Sequence, residues 1–279
     1  MKRDEPAAPR AAYTRSWQRP FAAIATFVNR AAVIAELEAR KLRHDPTELF
    51  TRAIQPALWL LVFGQVFTHT RAIPTGDLPY IDFMAPGILA QSVLFIAIFY
   101  GITVIWERDL GIVHKFLVAP VPRAAIVTGK ALSAGVRGLS QAVIVYLLAA
   151  ILRVHLDLSV PAILGVAAAV VLGAALFSTF SLIVACIVKT RERFMGIGQV
   201  LTMPLFFASN AIYPISIMPP WLRAVALWNP LTYEVDALRT LMLYGQESTY
   251  GLGVDFAILA GVTALFIFVA GRLYPRVAT

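Results

Sequence analysis

The chain has 279 residues, of which 59% are hydrophobic and only 14% charged, against about 25% charged in an ordinary soluble domain. That leaves too few polar residues to cover a water-soluble fold and too much apolar surface for a disordered chain, so a polytopic membrane protein remains. The net charge of +8 could suit nucleic acid, so the placement of the basic residues decides, and a single cysteine, Cys186, excludes a disulfide framework or a Cys-based zinc cluster.

Residues 1–28 are rich in Ala, Pro and Arg and carry Lys2, Arg3, Arg10, Arg15 and Arg19. Such a composition cannot bury a core and predicts a disordered basic tail. The polybasic start suits an anionic inner leaflet. A nucleic-acid arm is the rival reading, but no folded basic domain follows it. Pro20 to Asn29 has the length of a signal h-region, yet the segment before it is long and contains Asp4 and Glu5, which argues against cleavage. Over 29–45, Val33, Ile34 and Leu37 fall within about 100° of one another on a helical wheel, with Arg40 and Arg43 to one side. This predicts a short helix lying along the membrane surface, although Leu42 falls off the stripe.

A crossing helix needs roughly 20 mostly apolar residues. Six stretches qualify, at about 50–70, 82–106, 130–152, 160–188, 194–213 and 252–271. Together with the surface helix they make a single all-α six-span domain over 29–279. Asp45-Pro46-Thr47-Glu48 is a helix start, with Asp45 as N-cap and Pro46 at the first helical position. Pro56 should bend span one or mark its first turns. The uncharged run Phe194 to Leu222 carries Pro204, Pro214, Pro219 and Pro220, so span five should be followed by a broken, re-entrant or interfacial segment. Six spans put both termini on one side. That side then holds nineteen Lys and Arg and the opposite side four, namely Arg71, Arg153, Arg223 and Arg239, while Arg137 snorkels back to the basic side. The bias predicts both termini in the cytoplasm, the lipid bilayer as partner, and no nucleic acid.

Residues able to carry catalysis are sparse. His44, His69, His114 and His155 fall in loops or near span ends, and neither an H-E-x-x-H nor a G-x-S-x-G motif occurs. Asp82, Glu107 and Asp255 sit at span boundaries, whereas an ion-coupled carrier would place an ionisable residue deep in a span. Gly129-Lys130 lacks the earlier glycine of a phosphate loop, with Ala124 in its place. A stand-alone membrane enzyme, such as a lipid-modifying transferase, and a secondary carrier are therefore the weaker readings. No nucleotide-hydrolysing motif is visible in this chain.

The stretch Glu107 to Lys130 falls on the basic side. Leu110 to Val118 can form about two helical turns bearing Ile112, Val113, Phe116 and Leu117, stopped by Pro120 and Pro122. By composition it is either a docking element with an apolar ridge and basic edges or an interfacial loop whose apolar residues dip into lipid.

Three motifs, in this order, resemble the type-2 family of ATP-binding-cassette (ABC) export permeases. They are Asp82-Phe83-Met84-Ala85-Pro86-Gly87-Ile88, the loop from Glu107-Arg108-Asp109-Leu110-Gly111 through Pro120-Val121-Pro122-Arg123 to Gly129-Lys130, and the run from Ser209-Asn210-Ala211-Ile212-Tyr213-Pro214 through Met218-Pro219-Pro220-Trp221-Leu222 to Asn229-Pro230-Leu231-Thr232-Tyr233-Glu234-Val235-Asp236-Ala237-Leu238-Arg239. The likeness covers roughly Arg40 to Arg272 and is nearest to the drug and antibiotic resistance and nodulation-factor branches. It implies a permease in the cell membrane, paired with a second permease as a homodimer or heterodimer, above two cytoplasmic ATPase subunits that bind ATP and Mg. This chain would bind no cofactor or metal and hold no catalytic residue. The resemblance makes the loop a coupling helix, with Glu107, Arg108, Gly111, Val113, Lys115, Phe116, Leu117, Pro120, Pro122 and Arg123 as its contact residues. It also places the surface helix near the ATPase and folds the segment after span five back as short outer helices. The cargo class it implies is drugs and antibiotics, or else lipids, polysaccharides or lipo-oligosaccharides.

Aromatics recur at helical spacing as Trp59, Phe63 and Phe67, and as Phe95 and Phe99. They could stack on a planar cargo, but lipid-facing or helix-packing bulk is the commoner use of such a ladder. Gly165, Ala169 and Gly173 make a small-residue face suited to close packing inside the subunit. In the outer segment, Tyr213, Trp221, Asn229, Asp236 and Arg239 are the candidate residues. Trp221 and Trp228 should sit at the interface, and Asp236 and Arg239, spaced i, i+3, should pair.

Overall fold

Inside a bilayer no water satisfies the backbone, so each long apolar run must close its own hydrogen bonds as a helix. The computed structural model describes residues 46–71, 73–76, 78–111, 123–188 and 190–274. The tail 1–28, the surface helix 29–45 with Val33, Ile34, Leu37, Arg40 and Arg43, and the loop residues Val113, Lys115, Phe116, Leu117, Pro120 and Pro122 lie outside the described residues. Among those described the chain is helical, and the sole β pairing is one antiparallel bridge between Leu156 and Leu243.

Helix α1 spans Pro46–Leu58, passes through a π-helical turn at Trp59–Gly64 and continues as α2, Gln65–Thr70. Pro56 lies inside α1, and the helix widens into the π turn within one turn of it, so the perturbation expected at Pro56 takes that form. Helix α3 is Tyr80–Tyr100 and α4 is Ile102–Asp109. α5 is Arg123–Ile151, α6 Val160–Ile187 and α7 Arg191–Phe207. After a 3₁₀ turn come α8, Pro220–Trp228, α9, Pro230–Met242, and α10, Leu252–Leu273. Four of these segments are long and apolar enough to cross a membrane: Tyr80–Asp109 with 30 residues, Ile126–Ile151 with 26, Val160–Ile187 with 28 and Leu252–Leu273 with 22.

Two boundaries differ from the sequence reading. The sequence predicts span three from 130, whereas α5 begins at Arg123; no proline interrupts the run Arg123 to Lys130, so the helix extends beyond the apolar stretch on its loop side. The fifth stretch was drawn to 213, yet α7 stops at Phe207. Its last carbonyls are closed from further along the chain. Asn229 Nδ2 donates to Leu205 O at 2.7 Å and to Ala208 O at 2.8 Å, and the Tyr213 hydroxyl donates to Phe207 O. A helix end supplied with donors in this way can stop in an apolar setting.

Helix α3 is the core. Every residue from Tyr80 to Leu94 is buried, between α5, α6, α7 and α9, as expected of a helix apolar on all faces. Small residues set its neighbours' approach. A Cβ on Gly87 would overlap the Ala211 backbone, and one on Gly101 would overlap the Ser181 side chain of α6, whose hydroxyl donates to Ile98 O. Phe194 lies near Gly101, Gly198 near Ile98 and Phe99, and Ala211 at Gly87, so α7 runs antiparallel to α3. On α6, Gly165 receives Leu241 and Gly173 receives the Glu234 carboxyl, both from α9. The small-residue face thus packs inside the chain, and α9 rises antiparallel to α6 from its middle toward its Val160 end. A second cluster gathers Val104, Ile105, Val127, Leu182, Ala185, Cys186, Phe194, Ala270 and Tyr274 at the end nearer the 112–122 loop.

Gly87→Ala should lower stability by about 1–3 kcal/mol, because the obstructing atoms are backbone and cannot turn aside. Gly253→Ala, whose Cβ would meet nothing within 4 Å, should be neutral or mildly stabilising. Thermal melts of the purified variants in one detergent check the contrast.

Candidate functional site

The loop singled out in the sequence is closed at its base by charge. Glu107, in the last turns of α4, and Lys130, in the first turns of α5, form an ion pair with Nζ at 2.7 Å from Oε1 and 2.5 Å from Oε2. Their side chains are 26% and 13% exposed, so the pair is shielded enough to hold a fixed geometry. Arg108 and Arg191 both bind Asp109. Arg108 Nη2 is 3.0 Å from Oδ1, and Arg191 Nη2 is 2.7 Å from Oδ2 with its Nε at 3.1 Å. The Arg191 guanidinium also stacks 3.9 Å over the Trp106 ring. Since Arg191 opens α7, its start is tied directly to the end of α4. Gly111 then turns the chain with φ +70°, a left-handed conformation that costs other residues strain, and its N–H closes on Arg108 O at 2.9 Å. Of the predicted contact residues, Glu107, Arg108 and Gly111 therefore meet at the loop base. Arg123 begins α5, and the others lie outside the described residues. Lys130, Asp109, Arg191 and Trp106 were not singled out as partners. The signal available was the opposite charge of Glu107 and Lys130 at the two ends of one loop.

The opposite end carries the second cluster. Asn229 is the N-cap of α9, its Oδ1 accepting the Leu231 N–H at 3.0 Å while its Nδ2 closes α7. One side chain therefore ends one helix and starts another. Arg239 is buried and lies 3.9 Å over the Phe83 ring. It donates from Nη2 to Asn210 O at 2.7 Å and to Phe83 O at 3.3 Å. Burial pulls its guanidinium down to about 10, with Asp236 opposing, so it stays charged at neutral pH. Asp236 accepts from Ser248 Oγ, Thr249 N and Thr249 Oγ1 at 2.8, 2.8 and 2.9 Å. The expected i, i+3 ion pair is thus replaced. Each partner's closest bonds go to other groups, because tertiary neighbours offer shorter geometry than one helical turn does. Arg239, Asp236, Asn210, Phe83 and Tyr213's neighbour Pro214 border a cavity of about 340 Å³ at this end.

The aromatic ladder splits by surroundings. Trp59 packs 4.6 Å from Phe63 and edge-on to Phe206 at 5.7 Å, and Phe67 meets Tyr80 at 5.3 Å. Trp59 and Phe67 are therefore packing residues of the core, while Phe63 remains exposed. Phe95 and Phe99 stack on one another at 5.9 Å and are half-buried. Trp221 is exposed. Trp228, seven residues further along the same helix α8 and so on the same face as Trp221, is 90% exposed. Glu234 went unremarked on its own. It is fully buried against Gly173, and neither of its oxygens has a hydrogen-bond partner.

The chain matches the family of ABC-2 type transporters over residues 31–243. It belongs to that family. It is 28% identical over 224 residues to ycf38 of Cyanophora paradoxa, which is named as a transport permease, covering 80% of this chain and 76% of that one. It is 24% identical to the daunorubicin resistance ABC transporter permease protein DrrB1 of Streptomyces coeruleorubidus, over 83% and 81% of the two chains. To the inner membrane transport permease YadH of Escherichia coli it is 25% identical, over 74% and 82%. The chain is accordingly a membrane permease of the ABC transporter class, and membership implies an ATP-binding partner subunit. The matched segment takes in the loop-base cluster and Asn229, Asp236 and Arg239, and ends before Ser248 and Thr249.

Asn229→Ala should cost about 2–4 kcal/mol, the sum of a lost helix cap and of carbonyls left without a donor. Asn229→Asp, which keeps the cap and loses the Nδ2 bonds, should fall between Asn229→Ala and the unsubstituted chain. Denaturation of the three proteins in matched lipid or detergent gives the order.

Proposed function

We propose that this chain is the transmembrane subunit of an ABC exporter, moving a hydrophobic or amphipathic, drug-like cargo outward and driven by a separate ATPase through the Glu107–Lys130 loop. The observation that carries the reading is the braced loop base. A segment that must pass force from a soluble partner to membrane helices needs stiff anchorage. Here its two ends are ion-paired to each other, and the first end is also fixed to α7 through Arg191. Movement of the loop is then shared by α4, α5 and α7 as a unit.

The remaining parts follow from that assignment. Two crossings join the four long apolar helices: the continuous helical stretch from Pro46 to Thr70, which exposes Ile54, Leu58, Leu61, Val62, Phe63 and Val66 as a lipid-facing or partner-facing surface, and α7. The hairpin of α8 and α9 is re-entrant from the outer side. Both termini are cytoplasmic, as the distribution of Lys and Arg favours, and the protein resides in the cell's inner membrane, as does YadH by its name. Two copies of the permease, packed as a homodimer, sit on two ATPase subunits that bind ATP and Mg, and this chain performs no nucleotide chemistry. The surface helix 29–45 adds a second contact with the ATPase. The daunorubicin resistance relative supports a drug-like cargo. Conformational coupling requires that nucleotide state change the relative free energy of the inward and outward arrangements.

Replacing 112–122 by a Gly/Ser linker should abolish co-purification of the cognate ATPase and cargo-dependent ATP turnover while the chain still folds. Retained assembly and transport would remove the loop from the mechanism. Glu107→Lys should impair turnover, and adding Lys130→Glu should recover much of it, since the swap restores the pair at the loop base.

A further inference from the structure

The turn between α9 and α10 holds two carboxyls against one hydroxyl. Ser248 Oγ lies 2.8 Å from Asp236 Oδ2 and 2.8 Å from Asp255 Oδ2, and it accepts the Gly251 N–H at 2.7 Å. A serine hydroxyl has one hydrogen and two lone pairs. It can donate to only one of the two carboxyl oxygens. At the other contact two oxygens would face each other at hydrogen-bond distance with no hydrogen between them, unless that carboxyl brings its own.

The surroundings say which carboxyl does. Asp236 also accepts from Thr249 N at 2.8 Å, Thr249 Oγ1 at 2.9 Å and Tyr250 N at 3.4 Å. Several donors, backbone N–H among them, are what stabilises an ionised carboxylate. Asp255 is 0% exposed, its Oδ1 has no hydrogen-bond partner, and its Oδ2 is bonded by Ser248. Burying an ion so poorly solvated is far costlier than burying the neutral acid.

We propose that Asp255, Ser248 and Asp236 form a proton-binding site. Asp255 holds the proton on Oδ2 and donates it to Ser248 Oγ, while Ser248 donates its own hydrogen to ionised Asp236. Every valence then closes. The two lone pairs of Ser248 take the Asp255 O–H and the Gly251 N–H, its hydrogen goes to Asp236, and the pair carries one negative charge. Loss of the proton to solvent leaves two carboxylates competing for one hydroxyl hydrogen and repelling each other. The site thereby makes the join between α9 and the first turn of α10 dependent on proton occupancy. The other ionisable groups around it are Tyr233 and Glu234 on α9 and Glu247 and Tyr250 in the turn, with Arg239 acting on Asp236 and Arg223 on Tyr250. Of the helices packed on α10, α6 contributes no titratable side chain but Cys186 near its far end, and α5 contributes Tyr146 together with Arg137, Lys130 and Arg123 toward its loop end. The hydrogen bond to the Asp255 carboxyl comes from Ser248 and from none of these groups.

The site stands independently of any transported cargo or partner subunit, so its test uses neither. Infrared spectra of the purified full chain in phosphatidylcholine vesicles, compared in H₂O and D₂O at neutral pH, should show a protonated-carboxyl carbonyl band. One component of it should disappear in Asp255→Asn and persist in both Glu234→Gln and Asp236→Asn. In the unsubstituted chain, that component should fade as pH rises, together with the thermal midpoint. Asp255→Asn, whose amide can donate the same bond to Ser248, should show no such fall. If Asp255→Asn does not fold, Ser248→Ala serves. It keeps both carboxyls and should shift the component's frequency, because the bond to Ser248 is gone. A carbonyl region that Asp255→Asn or Ser248→Ala leaves unchanged overturns the site, as does loss of the component in Asp236→Asn alone.

Discussion

An apolar layer gives a backbone carbonyl or amide nothing to bond to, and each orphaned group there costs several kcal/mol. That constraint explains most of the architecture. It makes the long apolar runs helical, and it makes the end of α7 the critical point, since a helix that stops short exposes its last carbonyls. Asn229 and Tyr213 close them from later in the chain. The same Asn229 side chain then starts α9. The break in the fifth apolar stretch is thus built from side chains, and the hairpin of α8 and α9 hangs on it.

The two ends of the molecule use charge differently. At the loop end, Glu107, Lys130, Asp109 and Arg191 form partly exposed pairs joining helix termini. The Glu107–Lys130 pair is the more shielded of the two and holds its geometry more firmly. At the other end Arg239 and Asp236 are buried, and each is saturated mainly by groups other than its helical neighbour. Buried charges with complete partners resist displacement, because breaking the set leaves an unpaired ion. Between these ends α3 supplies a wholly buried rod.

Glycine decides how closely the rods approach. Gly87, Gly101 and Gly173 each sit where a Cβ would collide with backbone, a hydroxyl or a carboxyl of another element. In lipid, helices gain little from apolar burial against one another, so close van der Waals contact through small residues carries more of the association. Glu234 lies against one such glycine with its oxygens unpartnered, an arrangement that packing alone does not reward.

The sequence by itself determined the membrane class, the apolar stretches, the small-residue face of α6 and the family resemblance that the match over 31–243 established. These are local or compositional properties, set by hydropathy and by helical period. Only the tertiary structure decided where α7 ends, that Asn229 closes it, that Asp236 and Arg239 bond elsewhere than to each other, and that Lys130 and Arg191 brace the loop. Each of those outcomes depends on which distant group arrives with the shorter hydrogen bond, and spacing along one chain does not encode that.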